Sequence, residues 1–368
     1  MPWYLYVMVI SVPKVKKIIK NPDTAVNLAN LVYITEDKLS IKRHKHGRGF
    51  YYTRKNKKIT NKKSIDRFKR LVIPPAWTDV RITHLENGHL QVVGRDEKNR
   101  KQYRYHPNWS ELRNQTKFLK MGVFGKALPK IRKQIEKDLR LRTMTKRKCL
   151  ALVIRLMEET HIRIGNDYYA KRNKSYGLST LRTKHLDVYK NKIKFNFVGK
   201  KGKEHSVTLK NKRLQKLVLA CEEIPGWELF KYYDEDGKHH QIDSGMVNDY
   251  IQEISDDFFT AKDFRTWAAS KIFFETLCEL GPEESQKQIK KNILEAFDAA
   301  ASSLGNTRAV CRSYYVHPML VERYEDGSLT QYCQQISKDI KGNEYLSASE
   351  KILQQLFQEY TFKLEASK

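Results

Sequence analysis

The sequence predicts an α+β protein with a small β-rich N-terminal domain, residues 1–109, followed by a mainly helical domain, residues 110–368, that carries an embedded β-hairpin. Three observations lead there. The first hundred residues contain short alternating runs broken by Gly, Asn and Pro, the mark of strands and turns. From about Ser110 apolar residues recur at helical spacing. Between residues 192 and 209 the period drops back to two, once.

In chain order, "WYLYVMVISV" (Trp3–Val12) is the most apolar run; it is too short to span a bilayer and reads as a strand or an ordered arm. "GFYYTR" and "HLQVVGR" alternate as strands, and "VIPPAW" (Val72–Trp77) is a rigid extended link, because each proline fixes its own φ and restrains its predecessor. In "KQYRYHP" a strand would put Tyr103 and Tyr105 on one face. "ALPKIRKQIEKDLRLR" and "KRKCLALVIRLMEET" are helices, the second with Cys149, Val153, Leu156 and Thr160 along one face. Asn166 is placed to cap "DYYAKRN". "KIKFNFVGKKGKEHSVTL" alternates Ile193, Phe195 and Phe197, turns at "GKKG" and resumes with Val207 and Leu209, a hairpin whose tip carries lysines. Helices follow in "SGMVNDYIQEIS", "FRTWAASKIFFETLCEL", "IKKNILEAFDAAASSLG" and "SASEKILQQLFQEYTFKL". The last is expected to be capped by Ser347 or Ser349 and to bury Ile352, Leu353, Leu356, Phe357 and Tyr360.

At 368 residues, 40% hydrophobic and 30% charged, the chain is in the range of soluble two-domain proteins. Its formal charge of +28 favours a polyanionic partner, nucleic acid first, over membrane or small-molecule readings. The basic runs recur through the first half and do not sit in one tail, which suits a folded surface. A generally lysine-rich composition is the plain alternative. Five widely spaced cysteines, with no CxxC pair and an odd count, indicate neither a disulfide framework nor a zinc site, and so a reducing, intracellular compartment. Scattered Asp and Glu supply no paired site for Mg²⁺, and Asp263 reads as structural.

Several polar residues sit at element ends: Arg163 in "THIRIGN", Lys200 on the hairpin tip, Arg265 in "KDFRTW" and Asn306 in "SLGNTRAV", with Tyr314 and Tyr315 in "RAVCRSYYVHP". Singly, a charge after a helix or on a hairpin is an ordinary solvated residue. Together, seven blocks in order, "GRGFYY", "LVIPPAW", "GRDEKNRKQYRYHP", "RIGNDYYAKRNKSYGLSTL", "FVGKKGK", "AKDFRTWAAS" and "LGNTRAVCRSYYVHP", resemble the type IB DNA topoisomerases of the small bacterial and poxvirus-like kind. The resemblance spans nearly the whole chain. It implies a tyrosine-recombinase-like helical catalytic domain behind a β-rich one, the two closing on double-stranded DNA as a monomer, with no metal and no nucleotide cofactor.

Matched by position, it assigns Arg163, Lys200, Arg265, Asn306 and Tyr315 to catalysis. Tyr315 is the implied nucleophile because it directly precedes "VHP"; Tyr314 stands where the family usually has a small or polar residue and is a decoy or a weak substitute. Asn306, nine positions before Tyr315, stands where poxvirus-type relatives have histidine. The residue types suit the reaction. A phenol is a good leaving group, so a phosphotyrosine stores the energy of the broken bond. Two guanidinium forks hold the nonbridging oxygens, and Asn306 would donate to one of them. Lys200 is the expected general acid, with Lys201 as a neighbouring substitute. The resemblance further implies DNA contacts by Gln102, Tyr103 and Tyr105 in "QYRY". Asn166 as a helix cap would direct Asp167, Tyr169 and Lys171 or Arg172 outward toward a major groove, the alternative being that Tyr168 and Tyr169 merely pack. Phosphate contacts would make affinity salt-dependent. Two rivals remain at this stage. A tyrosine recombinase would share the chemistry but lead with a helical DNA-binding domain, and a noncatalytic basic module would not need the complete set.

Overall fold

The computed structural model describes residues 7–11, 18–19, 21–338 and 342–365. The architecture is α+β, as expected, and residues divide by contact into two units, Met1–Lys120 with Thr361–Lys368, and Met121–Tyr360. Among the described residues no helix is long and apolar enough to cross a membrane.

The first unit begins with β1 (Val7–Ser11) and α1 (Pro22–Leu28), which Asn21 caps. Residues Trp3–Tyr6 and Val12 of the apolar arm lie outside the described residues. Its main sheet is antiparallel, in the order β4-β3-β2-β5-β6-β7, formed by β2 (Ile41–His46), β3 (Gly49–Arg54), β4 (Lys57–Lys58), β5 (Thr78–Ile82), β6 (Leu90–Arg95) and β7 (Lys101–Tyr105). Ile41, Tyr52, Val80, Ile82 and Val92 form its inner face, closed by Phe68 from α2 (Lys62–Arg70). The "VIPPAW" link is held by Arg43, whose guanidinium donates to the carbonyls of Ile73 at 3.2 Å, Pro74 at 3.0 Å and Trp77 at 2.7 Å. A proline-stiffened segment offers few backbone donors of its own, so its carbonyls find a side-chain fork instead.

The second unit is helical, and α3 (Pro107–Leu139) runs across the division in the chain. At its centre α4 (Lys146–Thr160) is buried from Lys148 through Ile154, and at Leu156 and Met157; a helix apolar nearly all round must be surrounded. α5 (Asp167–Asn173) is capped by Asn166. The expected hairpin is present, and an extra strand joins it: β8 (Leu186–Tyr189), β9 (Lys192–Val198) and β10 (Glu204–Leu209) pair in the order β10-β9-β8, with Ile193, Phe195 and Phe197 buried. α6 (Lys212–Glu222), β11 (Lys231–Tyr233), β12 (His239–Gln241) and α7 (Ser244–Ser255) lead to α8 (Ala261–Leu280), α9 (Gln286–Leu304), α10 (Arg308–Tyr314), α11 (Pro318–Glu325), α12 (Leu329–Lys338) and α13 (Ala348–Glu359).

α13 starts as expected, with Ser347 as its cap and Ile352, Leu353, Leu356, Phe357 and Tyr360 buried. It does not continue through "YTFKL". The chain turns extended at Tyr360, and β13 (Thr361–Glu365) pairs antiparallel with β1, Ser11 opposite Thr361 and Val7 opposite Glu365. Thr361 and Phe362 favour strands, but their partner is at the other end of the chain, so local periodicity could not reveal it. A second correction concerns the cysteines. Cys278 on α8 and Cys333 on α12 form a disulfide across 55 residues of sequence, while Cys149, Cys221 and Cys311 are free and buried. Wide, irregular spacing carries no pairing signal, since only the docking of the two helices brings the sulfurs together. The inference of a reducing compartment loses its basis.

A buried ion network locks α13 to the helix that carries Arg265. Arg132 donates to Glu350 Oε1 at 2.8 Å and Oε2 at 2.9 Å and to Glu158 at 2.9 Å, while Trp267 Nε1 donates to Glu350 Oε1 at 3.0 Å. Burial alone would raise the Glu350 carboxyl, but the Arg132 fork outweighs it and holds it down at about 2. Glu350→Gln leaves Arg132 with Glu158 as its remaining carboxylate partner and weakens two charge-assisted hydrogen bonds, which should cost about 1.5–3 kcal/mol of stability. A carboxyl held below its ordinary value stabilises the fold above that ordinary value, and the contribution is lost as pH falls toward 2. Thermal melts should therefore show the variant less stable at neutral pH, with the gap narrowing in acid.

Candidate active site

Arg163 follows the left-handed cap of α4 at His161, and the backbone there is tied down by its neighbours. Leu178 N donates to Arg163 O at 2.8 Å and Ser179 N to Ile164 O at 2.6 Å. The approach requires glycine at 177, because a Cβ there would lie 2.4 Å from the Arg163 carbonyl oxygen. The loop that aims Arg163 is thus built by two segments, "RIGN" and "YGLST".

Arg265 sits in the second turn of α8, whose start is fixed by reciprocal capping of Thr260 and Asp263. That is the structural role expected of Asp263. The Arg265 side chain is 4% exposed. It donates to the His161 carbonyl at the end of α4 and to the Leu304 carbonyl at the end of α9, the latter at 2.9 Å. Both acceptors are helix-end carbonyls, which lack intrahelical partners and carry the negative end of the dipole. One guanidinium therefore ties the segments leading to Arg163 and to Asn306. Its carbon lies 5.6 Å from the Tyr315 ring centre, and its Nε is buried with no hydrogen-bond partner among the described residues. Burial first, and Arg163 second, lower the Arg265 guanidinium to about 10, against an opposing pull from Tyr315. It stays cationic at neutral pH, in a place that would gain from an anion.

Asn306 follows Gly305, the left-handed cap of α9. Its amide oxygen accepts from an Arg163 NH2 group, the only sense in which a guanidinium and an amide can bond, and its NH2 faces Cys311 Sγ at 3.9 Å. The side chain expected to donate to phosphate here orients Arg163.

Tyr315 caps the end of α10. Its N–H bonds Cys311 O at 3.0 Å, and its carbonyl accepts from Ser270 Oγ at 3.3 Å, while Ser270 accepts from His317 N at 3.1 Å. α8 thus holds the tyrosine twice, through the Arg265 contact and through Ser270 one turn further on. Tyr315 is half-buried, whereas Tyr314 is 50% exposed. Lys200 opens the short 3₁₀ turn Lys200–Gly202 at the hairpin tip and is exposed. It lines a cleft with Arg163, His161, His205 and Gly305. His161 is neutral there, because burial first, and then Arg265 and Lys271, push its pKa down to about 4.

The DNA-contact candidates are spread over both units. In the first, β7 exposes Tyr103 and Tyr105, stacked with centroids 6.1 Å apart. Gln102 is on the opposite face, bonded to Asp96 at 2.9 Å, as period-two alternation requires. Sequence reasoning missed that Tyr33 and His89 extend this ladder, stacking 4.4 Å apart with His89 beside Tyr105. In the second unit, α5 exposes Tyr169 and Lys171, and Tyr168 beside them is exposed and bonded to Arg172 at 2.5 Å. Neither tyrosine is packed away. His205 and Ser270 were missed too. His205 was readable in principle, by counting the hairpin register back from the turn to its partner Phe197.

Comparison with known proteins gives the family. Residues 105–342 match the family described as eukaryotic DNA topoisomerase I, catalytic core, and residues 49–96 match the bacterial DNA topoisomerase IB N-terminal domain. The chain is 35% identical over 284 residues to DNA topoisomerase 1B of Acanthamoeba polyphaga mimivirus, covering 75% of this chain and 84% of that one. It is 27% identical to DNA topoisomerase 1 of rabbit fibroma virus, covering 74% and 85%. It is 24% identical to the vaccinia virus (strain Copenhagen) DNA topoisomerase 1B, covering 64% and 73%.

Proposed function

The chain belongs to the type IB DNA topoisomerase family, and from that premise we propose that it relaxes supercoiled duplex DNA through a 3′-phosphotyrosyl intermediate on Tyr315, with no ATP and no metal. The observation that carries this reading is the buried Arg265 fork, with an unused Nε, 5.6 Å from the ring of the half-buried Tyr315.

In this mechanism the Tyr315 oxygen bonds to the scissile phosphorus as the P–O5′ bond breaks, and the phenolic proton passes to water. Arg163 and Arg265 hold the nonbridging oxygens, where charge builds in the transition state. Asn306 keeps Arg163 in place. Lys200 gives its proton to the departing 5′-oxygen. The downstream duplex then turns, the 5′-hydroxyl attacks phosphorus, its proton returns to Lys200, and Tyr315 leaves. Bond energy is conserved, so no external energy source is needed. All five residues lie within Met121–Tyr360, so a single chain can supply the whole set. The DNA contacts assigned to Tyr103 and Tyr105, and to Tyr169 and Lys171, rest on exposed aromatic and cationic side chains suited to sugar and phosphate.

The test is relaxation of a negatively supercoiled plasmid in EDTA without ATP, followed on a denaturing gel for a covalent adduct at the 3′ end. DNA binding with neither relaxation nor adduct would sink the reading. Lys200→Ala should slow cleavage of an ordinary phosphodiester about 10²–10⁴-fold. On a substrate whose 5′ leaving group is a thiolate it should lose far less, because a thiolate departs without a proton. Equal slowing on both substrates would remove Lys200 from the acid role.

A further inference from the structure

We propose that His205 is a positioning residue for this reaction: its imidazole is the spacer that sets the Lys200 turn against the Gly305–Asn306 end of α9. The proposal rests on the reading of Lys200 as the general acid.

His205 lies on β10 directly opposite Phe197 of β9, and the two rings stack in parallel with centroids 5.0 Å apart and planes 13° from coplanar. Phe197 is buried one residue pair below the hairpin turn, so one face of the imidazole rests on a fixed surface. The edges of the ring meet two backbones. A Cβ added at Gly199, the residue before Lys200, would lie 2.6 Å from His205 Cδ2; one added at Gly305, the residue before Asn306, would lie 2.7 Å from Cε1. Contacts this short leave no room for a methyl group on either side. The imidazole therefore separates the chain segment carrying the proposed acid from the segment carrying the residue that orients Arg163, and it lines the cleft that Lys200 and Arg163 share.

The ring type suits the place. Burial first, then Arg163, Lys203 and Arg265, disfavour its protonated form, so it acts as a flat neutral body. A lysine or arginine at 205 would add charge where several cations already converge. Without the ring, the turn loses the surface against which it is registered, and Lys200, exposed at the tip, is free to sample positions away from the leaving oxygen. Misplacement of a catalytic group by about 1 Å can cost on the order of 10²-fold in rate.

The experiment measures single-turnover cleavage of matched duplexes with an ordinary 5′-oxygen or a 5′-thiolate leaving group, using wild type, Lys200→Ala, His205→Ala, Gly199→Ala and the His205→Ala/Gly199→Ala pair. His205→Ala is expected to slow the ordinary substrate by about 10–10²-fold and the thiolate substrate far less, because it acts through the acid. Gly199→Ala, which leaves His205 intact but pushes a methyl into its ring, should show the same signature. It also carries the test if His205→Ala fails to fold. In the paired variant the methyl enters vacated space, so the two effects should be strongly non-additive. Equal slowing on both substrates, a rate like wild type, or simple additivity overturns the proposal. If Lys200→Ala is relieved by the thiolate and His205→Ala is not, this proposal alone fails. If Lys200→Ala is not relieved, the acid assignment fails and takes the proposal with it.

Discussion

Tyr315→Phe should abolish plasmid relaxation and the covalent adduct while leaving salt-dependent DNA binding as in wild type. The change deletes one oxygen and keeps the ring over Arg265, so packing at the end of α10 is preserved and only the nucleophile is lost. Tyr314 is the sequence neighbour that could be mistaken for it, but consecutive residues at a helix end are about 100° apart in direction, and Tyr314 is 50% exposed. Tyr314→Phe should therefore relax DNA like wild type. An adduct that survives in Tyr315→Phe and disappears when Tyr314 is also changed would transfer the nucleophile to Tyr314. The measurement is a denaturing gel of protein bound to end-labelled duplex, with filter binding across a salt series as the control for affinity.

Arg265→Ala carries the second-largest effect. The guanidinium does two things at once: it closes the ends of α4 and α9 through the His161 and Leu304 carbonyls, and it presents an unpaired buried Nε beside Tyr315. Losing a preorganised donor to a developing oxyanion costs about 10²–10³-fold. The two freed carbonyls also loosen the segments that place Arg163 and Asn306, so the loss in cleavage rate should reach the upper end of that range or exceed it. Arg265→Lys should not restore the rate, because an ammonium is a point charge and cannot bridge two carbonyls while facing a third oxygen. A lysine variant cleaving at the wild-type rate would show that charge alone suffices, and that the fork geometry is incidental. Single-turnover cleavage at saturating enzyme separates this effect from any change in affinity.

Much of this arrangement is legible in the chain. The alternation of Ile193, Phe195 and Phe197 announces the hairpin, and "GKKG" announces its turn, because strand burial has a period of two and glycine marks the reversal. Ser347, one of two caps expected for the last helix, and Asp263, expected only to be structural, both organise helix starts, since capping is a local hydrogen-bond problem solved within four residues. The five proposed catalytic residues were found through the order of seven blocks; no single motif among them was specific enough. What escaped was non-local: β13 depends on β1, and the disulfide on the docking of α8 and α12.

Asn306 shows the difference most clearly. Its residue type suggested a donor to phosphate, and its surroundings add a second role as an acceptor for Arg163, because an amide has both functions and the neighbouring guanidinium offers only donors. Local order, meaning caps, turns and the period of apolar residues, is written in short stretches because the hydrogen bonds that set it close within a few residues. The candidate site is a convergence of α4, the hairpin tip, α8 and the ends of α9 and α10. Arg265 links three of these by filling carbonyl valences that their helices leave open, and such valences acquire partners only after the helices have packed.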